Sequence, residues 1–402
     1  MKRYLPLLGA TLIIIACADS VGPRVEQPSL SVQTTQPQIF TRYVALGTSN
    51  SMGVQSAGVF AAGQKASWPA QLAARAGATF SLPLIQDPGC GPPLLPPLAA
   101  DIALLGAFSA FGTGGDLVTA LMTVCMPLKA GVTLPTNNLA ISGAKARDAL
   151  NSTPETETAS NARRGELYKR VLPPGKTQVT AMLAQSPTFV SVELAANEVL
   201  PATTGRISAM TPYDNWVADY DQIVGVVKST GARAALVGLP NNAANFPSVR
   251  RAREFFNQWP YLLTLGISVS VNCYFSSNYI FLPGYLLALL SKTPTTATCA
   301  DVPGAVDYVL TAGDMNAINN RLSQMNAHIE AKANENAYAF FKLSALYDLP
   351  KNSLNLYNVL FSNTPFGANM SLDGVHPSTQ GQAILATAAV QAINTRYGLA
   401  IP

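Results

Sequence analysis

The sequence predicts an α/β protein: a three-layer αβα sandwich around a mainly parallel sheet, carrying long loop insertions. Two patterns predict it. Short apolar runs rich in Val, Leu and Ala, bounded by turn formers, occur at residues 42–47, 188–194 and 233–239, as expected of strands buried on both faces. Helical patterns fall between and after these runs, and strands alternating with helices give a parallel sheet covered on both sides.

The elements follow in order. The run at 42–47 stops at Gly47 and is followed by Thr48, Ser49, Asn50 and Ser51. The 188–194 run leads into Asn197. A helix expected over 215–229 ends before Gly231. Another is expected over 314–335, with Asp314 as its cap and Ile318, Leu322, Met325 and Ile329 on one face. The last is expected over 378–397, stopped by Gly398. Chemistry in such sheets collects beyond the carboxyl ends of the strands, where Ser49 and Asn197 both lie.

Of 402 residues, 48 % are apolar, enough for a sizeable core, and only 12 % are charged. The formal charge of +4 falls to +2 without Lys2 and Arg3, and Lys and Arg do not cluster, so no nucleic-acid partner is expected. No repeat is visible, and residues 39–402 read as one domain. Residues 1–16 read as a signal peptide: a basic start, then an apolar run over 5–16 too short to span a bilayer. Ile14-Ile15-Ala16-Cys17 resembles the lipobox of bacterial lipoproteins. That resemblance implies cleavage before Cys17, lipid on its sulfur, and attachment to a membrane of the cell envelope. Residues 17–38, rich in Pro, Gln, Ser and Thr, read as a flexible tether.

The other four cysteines allow three pairings, and export favours disulfides. The sequence-local pairs, Cys90–Cys125 and Cys273–Cys299, are expected because nearby thiols meet more often. None lies in a CxxC arrangement, which argues against zinc or redox chemistry. Two insertions stand out, residues 83–122 and the apolar 279–290, the latter broken by Pro283-Gly284. Extra core beneath a long loop is expected for both, ahead of a lipid-facing lid.

Familiar constellations are excluded one by one. Gly58 and Gly63 have phosphate-loop spacing, but Gln64-Lys65-Ala66 follows where Lys-Ser/Thr is needed. There is no HExxH and no GxSxG. Glu193 and Glu198, at odd spacing on an extended segment, would point to opposite faces. The chain has two histidines, so a serine nucleophile has two candidate bases. His328 sits off the apolar stripe of its helix and receives no role. His376 follows Asp373 by three residues, with Gly374 between them to allow a tight turn.

Four blocks occur in sequence: "YVALGTSNSMGVQS", "NLAISGAKARD", "VSVELAANEVL" and "DGVHPSTQGQAILA". Their order and flanking patterns resemble the SGNH (GDSL-type) hydrolase family over most of residues 40–402. The resemblance implies a flavodoxin-like sheet and a serine esterase or lipase that cleaves carboxylic esters through an acyl-serine intermediate. It implies no metal or organic cofactor, and an ester substrate that is a lipid or an acylated glycan. Residue by residue, it implies Ser49, Asp373 and His376 as the catalytic triad. It also implies an oxyanion hole from Ser49, Gly143 and Asn197. A polysaccharide acetylesterase or acyltransferase, and a non-catalytic lipid- or glycan-binding lipoprotein, are the alternatives. The chain departs from the family where Gly47-Thr48-Ser49-Asn50 stands for Gly-Asp-Ser-Leu, and Ala195-Ala196-Asn197-Glu198 for Gly-x-Asn-Asp. Thr48 is thus expected to remove a carboxylate that would brace the serine loop.

Overall fold

The computed structural model describes residues 38–98, 124–292 and 294–402. The expected signal peptide, Cys17, nearly all of the tether and residues 99–122 of the first insertion lie outside the described residues. Among those described, the strands are β1 (Tyr43–Gly47), β2 (Phe189–Glu193), β3 (Arg233–Gly238), β4 (Val249–Arg251), β5 (Ile267–Val269), β6 (Tyr279–Phe281), β7 (Thr295–Ala297), β8 (Val309–Leu310) and β9 (Ala339–Lys342). The main sheet runs β1-β2-β3-β9, all parallel. On the free side of β1, Ala45 N–H donates to Asn137 O (2.9 Å), and Leu139 and Ile141 donate back to Ala45 O (2.9 Å) and Gly47 O (3.0 Å). That segment, second in the chain, acts as a fifth parallel strand, so the order is 2-1-3-4-5, the flavodoxin-like order.

β1 and β2 are buried at every position, as apolar strands covered on both faces should be. The helices Trp68–Arg75 and Thr379–Tyr397 pack on each other. The helices Ala146–Asn151, Tyr213–Ser229 and Ala312–Glu335 form a second group, and Ala312–Glu335 packs on β3 and β9. Trp216, buried in Tyr213–Ser229, donates its indole N–H to Leu194 O (3.2 Å) and so anchors that helix at the carboxyl end of β2.

Strand and helix positions agree with expectation to within two residues. The helix expected over 314–335 begins at Ala312; its cap is Thr311 rather than Asp314, and Asp314 is the reciprocal partner whose side chain accepts from Thr311 N–H at 2.8 Å. The apolar 279–290 segment is core, as expected, but Pro283-Gly284 is not a break. β6 passes directly into the helix Leu282–Leu290, whose first turn holds Pro283 where no N–H is needed. This helix and the antiparallel sheet β4-β6-β8 form a small layer beside the main sheet's carboxyl end. Cys273 and Cys299 are bonded there, and Cys90 to Cys125, the pairs expected from proximity.

Candidate active site

Ser49 stands two residues beyond β1, at the start of the single helical turn Ser49–Met52. Register explains how that turn is held. Gly47 pairs with Glu193 across β1 and β2, so the Glu193 carboxylate lies directly under the serine loop. It accepts from Thr48 Oγ1 (2.8 and 2.9 Å), Thr48 N–H (3.1 Å), Ser51 Oγ (3.0 Å) and Ser51 N–H (3.3 Å). Trp68 Nε1 adds a bond to Ser51 Oγ at 3.2 Å. A Cβ on Gly47 would come within 2.6 Å of Ser51 Cβ, so only glycine lets the turn fold this closely on the strand. The expectation that Thr48 costs the loop its carboxylate is therefore corrected. The carboxylate comes from β2, and Thr48 supplies the hydroxyl that meets it. Burial pushes the Glu193 carboxyl up, against the pull of the Thr48 and Ser51 bonds.

The histidine loop is tied from several directions. His376 Nδ1 lies 2.8 Å from Asp373 Oδ2, and His376 N–H donates to Asp373 Oδ1, also at 2.8 Å. Asp373 further accepts from Val375 N–H (2.9 Å), Ser371 Oγ (3.1 Å) and Ala57 N–H (2.6 Å). Gly374 at φ +66° makes this short return possible. Burial alone would raise the Asp373 carboxyl, but the His376 ring and the converging N–H donors outweigh it and hold it below the usual carboxylate range. Ala57 and its neighbour Ser56 adopt left-handed backbone (φ +58° and +50°), a strained pair whose reward is the Ala57 N–H aimed at Asp373. Tyr347 Oη bridges the two loops, within 3.2 Å of Asn50 Oδ1 and donating to Val375 O at 2.8 Å.

The third part is the turn after the 137–141 segment, where Gly143 takes φ +75°. The short helix Ala196–Val199 clamps this turn with two successive residues. Asn197 Nδ2 donates to Ala144 O (2.9 Å), and Glu198 Oε1 accepts from Ala146 N–H (2.8 Å). One amide hydrogen of Asn197 is thus committed, leaving the second for a ligand. Glu198 Oε2 is buried without a partner, and desolvation raises its pKa to about 8 against the pull of Ala146 N–H. Glu193 and Glu198 do serve separate partners, but not through alternation along a strand: β2 ends at Glu193, and Glu198 is helical.

Ser49, Asn197 and His376 line one pocket beyond the carboxyl ends of the strands, while Gly143 adjoins through the Asn197–Ala144 bond. Ser49 Oγ and His376 Nε2 make no hydrogen bond to each other, the loose geometry common in sites that tighten on substrate. His328 does not line the pocket. Its Nε2 meets Asp221 Oδ1 at 2.7 Å on the helical layer. Glu193, Tyr347 and the Ser56–Ala57 turn were not assigned roles from the sequence. Only Glu193 left a trace there, as an acid inside an otherwise apolar strand.

The sequence matches the family described as GDSL-like Lipase/Acylhydrolase over residues 43–389. Among curated proteins, none matches it. Among solved structures it is similar to TesA, at 12 % identity and a TM-score of 0.34, over 88 % of this chain and 98 % of that one. It is also similar to a catalytic mutant of Axe2, an acetylxylan esterase from Geobacillus stearothermophilus, at 14 % identity and a TM-score of 0.33, over 87 % and 93 %.

Proposed function

The chain belongs to the GDSL-like lipase/acylhydrolase family, and on that premise we propose that it hydrolyses carboxylic esters through an acyl-serine intermediate. The observation that carries the proposal is the convergence of Ser49, Asn197 and the Asp373-bound His376 on one pocket. His376 Nε2 takes the proton of Ser49 Oγ as that oxygen adds to the ester carbonyl, and Asp373 orients the ring and stabilises its charged form. The carbonyl oxygen, now negative, faces the N–H groups of Ser49 and Gly143 and the uncommitted amide hydrogen of Asn197. As the tetrahedral species collapses, His376 returns the proton to the leaving alcohol, and Ser49 keeps the acyl group. Water then repeats the sequence, with His376 as base, releasing the acid and restoring the Ser49 hydroxyl.

A fluorophosphonate probe tests this directly. It should add to Ser49 in the wild type, and Ser49→Ala should show neither labelling nor ester turnover. Labelling elsewhere, or turnover by folded Ser49→Ala, would remove Ser49 from the mechanism.

The same proposal includes location. Cys17, behind its lipobox-like run, would carry lipid and hold the 39–402 domain at a membrane of the cell envelope. Among the described residues no helix is long and apolar enough to cross a bilayer. Cys17→Ser should move the protein from the detergent-extracted to the soluble or unprocessed fraction. A wild type that is soluble without detergent would refute the anchor.

A further inference from the structure

The pocket that holds Ser49 forms a slot lined mainly by apolar side chains. Three groups of apolar residues dominate its walls. Leu239 and Pro240 follow β3. Val249, Phe281 and Leu310 come one each from β4, β6 and β8, so the small inserted sheet forms an entire side. Ile318 and Leu322, one turn apart on the Ala312–Glu335 helix, line another side.

The hydroxyls along the slot are already engaged. Apart from Ser49, the hydroxyls that line it belong to Tyr347 and Thr203. These donate to Val375 O and Leu200 O, both at 2.8 Å. A sugar placed there would lose its water and find few free partners, which costs about 1–3 kcal/mol for each buried unpaired hydroxyl. An alkyl chain has no such cost, and each methylene it buries is favourable.

We propose that this slot is the acyl site and that it selects unbranched acyl chains of medium length over acetyl. The proposal rests on the ester-hydrolase reading of the same site. The slot suits the acyl half, not the alcohol, because of the order of events. The acyl group stays on Ser49 while the alcohol must leave and water must enter, and a chain seated in the slot leaves the mouth open for both. The inserted sheet β4-β6-β8 sets the far wall and thus the length limit.

The test uses the full-length protein and two ester series: p-nitrophenyl esters from acetate to palmitate, and acetate esters of alcohols from ethanol to octanol. In the first series kcat/KM should rise by up to about fourfold per methylene into the medium-length esters and fall by palmitate. Pivalate should be turned over more slowly than its unbranched isomer valerate. In the second series kcat/KM should vary little. Leu322→Trp, which fills the slot, should move the optimum toward shorter acyl chains. Phe281→Ala, which opens the far wall, should move it toward longer ones. Each optimum is a ratio within one preparation, so partial misfolding leaves it readable. A best substrate of acetate, or a preference that follows the alcohol, overturns the slot assignment while the hydrolase reading stands. Turnover of no ester in either series overturns the hydrolase reading and this proposal together.

Discussion

The molecule contains two histidine–aspartate pairs of nearly equal length. His376 meets Asp373 at 2.8 Å, and His328 meets Asp221 at 2.7 Å. By distance alone they are equivalent; their surroundings are not. The Asp373 side chain is fully buried and held by four further donors, from Ser371, Val375, the His376 backbone and Ala57. The Asp221 side chain is 36 % exposed, shared with Lys332 at 3.3 Å, and its histidine leans edge-on against Trp216. A carboxylate that can swing toward water or a lysine orients nothing, whereas one fixed by four other bonds gives its imidazole a single position. The His328 pair is therefore a partly exposed contact, worth about 1 kcal/mol or less. His376 shares a pocket with Ser49.

The largest expected effect breaks the comparison outright. His376→Ala should reduce ester turnover to near background, on the order of 10⁴-fold or more, and Ser49→Ala should do the same. The double mutant should be little worse than either, because the two act as one unit. Independent, additive losses in steady-state kinetics would contradict the shared role.

Next come the groups around the pair. Asn197→Ala removes one oxyanion donor and should cost on the order of 10²–10³ in kcat with KM nearly constant. A change in KM alone would make Asn197 a binding residue. Glu193→Gln sharpens the contrast between fixed and mobile carboxylates. It turns an amide N–H toward the donors of Thr48 and Ser51, so kcat should fall about ten- to a hundredfold, with about 1–3 kcal/mol lost in stability. Adding Thr48→Asp returns an acceptor to the loop and should recover part of kcat. No recovery in a folded double mutant would show that the Glu193 position itself matters, beyond its charge.

A smaller effect appears in stability rather than rate. Burial pushes the Glu198 carboxyl up to about 8 in the folded state, against an ordinary value of 4.5. Between those values the folded chain binds more protons than the unfolded chain, so this group's contribution to stability falls as pH rises through the window. Glu198→Gln keeps an acceptor for Ala146 N–H without a charge and should flatten that slope in urea midpoints measured across the window. An unchanged slope would assign the dependence to other groups. The smallest effect closes the comparison: His328→Ala should leave turnover within about twofold and stability within about 1 kcal/mol. A folded but silent His328→Ala would reverse the two pairs.

The apolar periods of the sequence already contained the parallel sheet and its helices, because strands and helices buried in layers must carry apolar residues at fixed spacing. Local spacing also carried the Asp373–His376 pair, since three residues with Gly374 between them close by geometry of the chain itself. Proximity carried the disulfides for the same reason. What required the tertiary structure were contacts between residues distant in sequence. Glu193 lies beneath Thr48 across 145 residues because β1 and β2 are in one register, and Ala57 reaches Asp373 across 316 because two loops meet above the sheet. The same holds for Asp221 beside His328, a carboxylate partner invisible from spacing. A one-dimensional pattern encodes which face of an element is apolar, but not which polar group another element will place against it. In this protein, that second kind of information fixes the serine loop, separates the two histidines and shapes the slot beside Ser49.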